Sequence, residues 1–336
     1  MNVFELTRAL VDIESITENE NDVAAYLHDH LAKVAEPTGG HVERMSVDGS
    51  RFNVLAWWGN PIVTLSTHMD TVPPFFSSRE DSGSIWGRGS CDAKGIIASM
   101  TIAAEQLREE GVRNFALLFV VGEERNSAGA AAAAASPRGS RYLVDGEPTE
   151  NRLALASKGA LRLEVSAAGR AAHSAYPELG ESAIEALLDA LEKIRKVPLP
   201  THPVLGKCTM NIGTISGGCA PNVIPDAAKA ELLVRLVGDP APIREAVKAA
   251  CGARTQINEV LSIPAIEFVR VEGLPTTVVS FTTDVPVFGK SWGEPLLVGP
   301  GSIHVAHTAE EHIPKQQLLE AVELYSRIVK ELLAKG

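Results

Sequence analysis

The chain has 336 residues, of which 45% are apolar and 22% charged, and its formal charge is -11 at neutral pH. That length is enough for two domains with separate cores, and the composition is that of a folded chain, not a disordered one. The acidic balance removes the basic face that a nucleic-acid ligand requires, and no segment reaches the about 18 apolar residues of a membrane span.

Met1 to Arg8 lack the basic and apolar regions of a signal peptide. Cys91, Cys208, Cys219 and Cys251 show no CxxC spacing and read as reduced thiols. The expected location is the cytoplasm, with neither nucleic acid nor membrane as partner. Val23, Tyr26, Leu27, His30, Leu31 and Val34 recur at helical spacing, which predicts an amphipathic helix. Residues 53–58 and 62–67 are short apolar runs separated by Gly59, Asn60 and Pro61, and they read as two strands. Residues 93–110 read as a helix and 115–121 as a buried strand. The alanine run 130–135 reads as a packed helix, because alanine has the highest helix propensity. This alternation predicts an α/β sheet covered on both faces.

From about Lys158 the pattern changes. LRLEVSA, TMNIGTIS and AKAELLVRL alternate like strands, and residues 181–196 and 240–250 are amphipathic helices. The expectation is an α+β domain over 158–265 inserted into an α/β domain formed by 1–157 and 266–336. The chain ends in a helix with Leu318, Leu319, Val322, Tyr325, Ile328, Val329 and Leu332 on one face.

Acidic residues and histidines stand directly after the buried strands. Residues 62–67 run into His68-Met69-Asp70, and 115–121 into Gly122-Glu123-Glu124; open α/β sheets bind ligands beyond the carboxyl ends of their strands. Asp92 in GRGSCDAKG precedes a helix, YLVDGEP supplies Glu147, and GPGSIHVAHTAEE supplies His307. Each alone has an ordinary explanation, since a single histidine is mostly a hydrogen-bonded structural residue and adjacent glutamates are mostly solvated. Together, nitrogen and carboxylate donors from five places suit two divalent ions, and a carboxylate such as Asp92 can bridge both. Asp145 is an alternative to Glu147, and His304 and His312 are alternatives to His307. Cys91 adjoins Asp92 and reads as structural.

THMDTVP, GRGSCDAKG, GEE, GEPT, AAHSAYP, GGCAPNVIP and GPGSIHVAHTAEE follow one another from His68 to Glu311. In that order they resemble the motifs of the M20 metallopeptidases, a family that includes acetylornithine deacetylase, succinyl-diaminopimelate desuccinylase and carboxypeptidase G2. The resemblance implies a zinc-peptidase-like catalytic domain, its mixed sheet covered by helices, with an inserted α+β lid through which the chain forms a homodimer. It implies that His68 and Glu124 hold separate ions, that Asp92 bridges them, and that Glu147 and His307 complete the shell. Asp70 would orient the His68 imidazole, and Glu123 would be the general base. His173 would steady the oxyanion, reaching across from the partner chain. Asn222 and Arg235 would hold the substrate, the guanidinium gripping a carboxylate through its fork.

The implied cofactors are two divalent ions, zinc or in its place cobalt or manganese. The implied reaction is hydrolysis of an N-acyl bond in a small amino-acid-derived substrate, with a metal-bridging hydroxide attacking and Glu123 moving the proton. The short stretch between Asp70 and Asp92 and the compact tail resemble the acetylornithine and acetyl-lysine deacetylase branch. A dipeptidase, a carboxypeptidase or a succinyl-diaminopimelate desuccinylase would use the same centre. A nucleotide-binding protein would need GxGxxG or a P-loop after a strand, and a serine hydrolase a GxSxG elbow; the chain has neither. A binding protein that kept the fold without catalysis would have lost Glu123 or the ligands, and all are present.

Overall fold

The computed structural model describes residues 1–335. The chain forms two compact units, one of Met1–Leu155, Phe268–Thr277 and the segment from Thr283 onward, the other of Ala156–Glu267 and Val278–Thr282.

The first unit is built on a six-stranded mixed sheet. Its strands run in the order His41–Asp48, Arg51–Trp58, Phe115–Val120, Val63–His68, Tyr142–Asp145 and Glu294–Leu297. The last four are parallel and the first two join antiparallel. The strands on either side of Gly59 to Pro61 do not pair with each other, because Phe115–Val120 lies between them. Both Val63–His68 and Phe115–Val120 are buried at every position, so each needs hydrogen-bonded neighbours on both edges and apolar cover on both faces.

The period of two divides that cover. Phe115, Leu117 and Phe119 join the larger core, which takes in the apolar stripes of helices Val3–Val11, Asn21–Ala35, Gly95–Glu109 and Lys315–Lys335. Ala116, Leu118 and Val120 face the opposite core, with Ala130 and Ala133 of helix Ala128–Ala134 and with Phe288 and Trp292. The four parallel strands end on one edge of the sheet, at His68, Val120, Asp145 and Leu297.

Two helix expectations need correction. In the C-terminal helix Leu318, Val322, Tyr325, Ile328, Val329 and Leu332 are buried, but Leu319 is 47% exposed; a step of about 100° per residue turns it from the stripe that Leu318 occupies. The helix expected from Ala93 begins at Gly95, and Ser90–Lys94 forms a separate wide turn in which Asp92 (φ -130°, ψ 89°) and Ala93 depart from helical angles. Among the described residues no helix is long and apolar enough to cross a membrane.

The second unit has a four-stranded antiparallel sheet in the order Thr209–Gly217, Ala227–Leu236, Gly159–Ala168, Thr255–Ile263. Helices Ala183–Ile194 and Ala241–Ala250 bury Leu187, Leu191, Ile243 and Val247 in one core with Leu163, Val165, Leu232 and Val234 of the sheet.

Candidate metal centre

The edge where the parallel strands end gathers the acidic residues and histidines of the first unit. His68 closes its strand and is 1% exposed, with Nε2 3.0 Å from Asp92 Oδ1. The other Asp92 oxygen, Oδ2, lies 3.3 Å from His307 Nε2, which is also 2.9 Å from Glu124 Oε1. The two oxygens of one buried carboxylate thus face two histidines from opposite ends of the chain. His68, Asp92 and Glu124 each offer a ligand atom within 4.8 Å of the others. Imidazole nitrogen with carboxylate oxygen is a donor set suited to borderline divalent ions, so this group can hold a metal ion.

These groups perturb one another strongly. Burial opposes charge on His68, but the Asp70 and Asp92 carboxylates outweigh it and hold its pKa well above the usual imidazole value. Asp92, then Glu124, raise His307 to about 10. Burial likewise opposes an ionised Asp92, and hydrogen bonds from His307 and His68 keep it below the usual carboxylate range. Protons therefore occupy the imidazoles that a metal would need, and uptake of an ion has to displace them.

Asp70 organises one side of the site. Its Oδ1 accepts the Glu123 amide at 3.0 Å; its Oδ2 accepts the Glu124 amide at 3.1 Å and the Thr17 hydroxyl at 2.8 Å. His68 Nδ1 sits 3.0 Å from the Asp70 carbonyl and 3.6 Å from Oδ1, so an Nδ1–H directed there fixes the ring with Nε2 as the nitrogen that faces Asp92. The Glu123-Glu124 turn can form because Gly122 takes φ 80°, a left-handed angle that suits glycine, and its carbonyl accepts the amides of Asn126 and Ser127.

Glu123 is partly exposed beside these groups. Burial pushes its pKa well above the usual value, His68 pulls it back, and Asp284, Glu124 and Asp92 add to the rise. Glu147 is 5% exposed just past Asp145; burial, then the charges of Asp92 and Glu123, push it well up. The rival Asp145 is also buried, but its strongest acidic neighbour is Asp284, and together with burial this lifts it to about 8. Among the alternatives to His307, His312 is turned to Trp86 with ring centroids 4.3 Å apart and Nδ1 2.7 Å from the Glu310 carbonyl; His304 is exposed. Cys91 is buried with its thiol on the Ser302 carbonyl, and burial raises its pKa well above the usual value, so it stays a neutral packing group.

Three buried charged groups are not singled out by the sequence. Glu311, inside the last quoted motif, binds the loop carrying Asp92, and Arg88, inside GRGSCDAKG, binds Glu311. Asp284, at the head of the short helix Val285–Phe288, is 2% exposed with no partner for either carboxylate oxygen among the described residues. Arg88 between two glycines and Asp284 before Val285 show at most a charged residue beside glycine or apolar positions, and Glu311, flanked by Glu310 and His312, shows no such signal.

His173, Asn222 and Arg235 belong to the second unit. His173 is exposed on a two-residue ladder opposite Val223, and the Ser174 amide donates to the Asn222 carbonyl at 3.0 Å, so His173 and Asn222 are neighbours. Arg235 lies near the far end of Ala227–Leu236, opposite Ala160. It is half-buried, burial lowers its pKa, and among the described residues no carboxylate pairs with it.

The pattern of Peptidase family M20/M25/M40 matches residues 64–331. A peptidase M20 domain-containing protein of Schizosaccharomyces pombe is 37% identical over 340 residues, covering 98% of this chain and 84% of that protein. A probable carboxypeptidase of Emericella nidulans is 37% identical over 380 residues, covering 98% of this chain and 89% of its own. Among solved structures, the Bacillus subtilis YXEP protein, described as a dinuclear metal binding peptidase of the M20 family, superposes with a TM-score of 0.72 at 15% identity over 99% of this chain and 97% of that one.

Proposed function

This chain belongs to peptidase family M20/M25/M40 and is a hydrolase of amide or peptide bonds, and on that premise we propose that it is a two-ion carboxypeptidase acting on short peptides. The observation that carries the two-ion reading is Asp92, whose two oxygens address His68 and His307 separately. His68 with Glu147, and His307 with Glu124, would each hold one ion, zinc in the native protein, with Asp92 between them. Bound ions acidify a water and polarise the scissile carbonyl. Glu123 takes the proton from that water as its oxygen adds to the carbonyl carbon. It then delivers the proton to the departing nitrogen as the C–N bond breaks. Asp70 holds the amides of Glu123 and Glu124 and the ring of His68, so base and ligands keep one geometry.

The second unit supplies recognition in this reading. Arg235, a half-buried guanidinium with no carboxylate partner among the described residues, suits the C-terminal carboxylate of a peptide. Asn222 supports the substrate, and His173 donates to the oxyanion. We place His173 in trans, in a homodimer formed through the second unit. Mixing Glu123→Ala and His173→Ala chains tests this: heterodimers regain activity if His173 acts in trans and stay inactive if it acts within its own chain.

The curated relatives named as probable carboxypeptidases support the peptide substrate. A second reading, removal of an acyl group from an acetylornithine-like or acetyl-lysine-like amino acid, is favoured by the short segment between Asp70 and Asp92. A hydrolysis panel of dipeptides, N-acyl dipeptides, and N-acetyl and N-succinyl amino acids with zinc-loaded protein decides between them. Release of the C-terminal residue from peptides is the expected result, and turnover confined to N-acetyl amino acids would replace it with the second reading.

A further inference from the structure

The turn that presents Asp92 is irregular, and its amides would lack partners without a side chain brought from elsewhere. Ser90–Lys94 is wound too widely for ordinary helical bonding, with Asp92 and Ala93 outside helical angles. Glu311 meets this need. Its carboxylate, 0% exposed, accepts three backbone N–H groups on Oε1: Gly89 at 2.9 Å, Cys91 at 3.2 Å and Asp92 at 3.2 Å. Its Oε2 accepts Arg88 Nη1 at 2.5 Å. Converging amides of this kind make an anion-binding concavity, here filled by a residue of the same chain. Four N–H donors converge on the one carboxylate.

Both partners are themselves fixed. Arg88 is 2% exposed, donates through Nε to the Pro74 carbonyl at 3.2 Å, and lies 5.0 Å over the Phe76 ring. The Glu311 carbonyl accepts the Gly87 amide, and the next residues, His312–Pro314, pair with Ser84–Trp86. Glu311 also stands four positions after His307, whose backbone takes the left-handed angle φ 62°. One buried carboxylate therefore ties the amide of Asp92 to the segment that carries His307.

We propose that Glu311 is a positioning residue that sets Asp92 against His307, with Arg88 holding Glu311 in place. This rests on the two-ion reading of the site. Glu311 touches neither ion nor substrate. It fixes the separation between the shared carboxylate and the histidine on its Oδ2 side, so its loss should loosen the ion on that side more than the ion on the His68 side.

Co2+ serves as probe, because its visible absorption reports coordination and its binding can be followed without turnover. Metal-free wild type, Glu311→Gln, Glu311→Asp and Arg88→Lys are titrated with Co2+ after folding is verified by circular dichroism and melting. Wild type is expected to take two ions per chain. Glu311→Gln should take the first with little change and the second about 10–100-fold more weakly, the usual effect of losing a ligand's supporting partner, with an altered spectrum for the second ion. Once ions are saturating, kcat should fall at least about tenfold with KM changed less than about threefold. Glu311→Asp should recover part of the loss. If Glu311→Gln does not fold, Arg88→Lys carries the test, since it keeps the charge but loses the fork; it should weaken the second ion in the same sense. Two ions bound with wild-type affinity and spectrum in every folded variant would overturn the proposal. A wild type that takes a single ion would overturn the two-ion function, and the clamp would then stand or fall on whether Glu311→Gln weakens that ion.

Discussion

In the first unit, Asp70 and Glu311 are wholly buried carboxylates, and each accepts at least three hydrogen bonds from groups that position the proposed ligands. In the second unit, His173 and Asn222 are exposed and held by backbone pairing, and Arg235 is half-buried without an ion-pair partner. The difference follows from what each must do. Ions need several charged ligands at fixed separations, and burial makes those ligands costly unless each is tied to a donor. Side chains that meet a passing substrate have to leave their hydrogen-bonding capacity open until it arrives. The contrast predicts that replacing a ligand or a positioning carboxylate changes metal binding or stability, whereas replacing a side chain that meets the water or the substrate, Glu123, His173, Asn222 or Arg235, changes turnover or substrate binding and leaves metal binding and stability alone.

Glu123→Gln tests the contrast at its strongest point. Turnover should fall by about 10²–10⁴-fold while metal content and melting temperature stay at wild-type values, because glutamine keeps the shape but cannot take the proton. Near-normal kcat would assign the base elsewhere. Asp70→Ala comes next. It strips the acceptor from the Glu123 and Glu124 amides and from Thr17, so Co2+ affinity should drop about 10–100-fold and the melting temperature should fall with it. An unchanged affinity would break the link between donor-saturated burial and ligand geometry.

His173→Ala is expected to lower kcat by about 10–10³-fold, the scale of losing one oxyanion donor, without moving the melting temperature, since an exposed side chain contributes little to stability. A clear loss of stability would mean that His173 is structural. pH sharpens the contrast further. His307, raised to about 10 by Asp92 and Glu124, must give up a proton to bind an ion, so Co2+ affinity should rise with pH through the neutral range, and protons should be released on binding as measured by calorimetry in buffers of different ionisation enthalpy.

The smallest expected effect belongs to Asp284. Burial raises it to about 7 from a usual 3.8, so the folded state binds more protons than the unfolded one between those values. Its share of stability is present at acid pH and lost as pH rises through about 7. Asp284→Asn should therefore stabilise the protein at pH 8 by about 1–3 kcal/mol and by less at pH 5, read as melting temperature against pH. Equal effects at both values would show that Asp284 does not titrate as burial requires.

Local pattern was enough for much of this protein. The helical spacing of Val23 to Val34, the unbroken apolar run at 115–121 and the alternation in AKAELLVRL are local patterns, and such patterns depend only on which sides of an element meet a core. The strand-end positions of His68, Glu123 and Glu124 were readable for the same reason, since a parallel strand leaves its carboxyl end at the sheet edge. Long-range pairing decided the rest. Residues 53–58 and 62–67 are joined by a tight turn, yet Phe115–Val120 lies between them, because full burial demands a partner on each edge. Leu319 has the same hydrophobicity as Leu318 and is 47% exposed, because one helical step carries it off the buried stripe. Glu311 and Arg88 are more than 200 residues apart in sequence and carry no local mark of a buried pair; only the folded chain, by leaving the amides of Gly89, Cys91 and Asp92 in need of an acceptor, shows why both charges are inside.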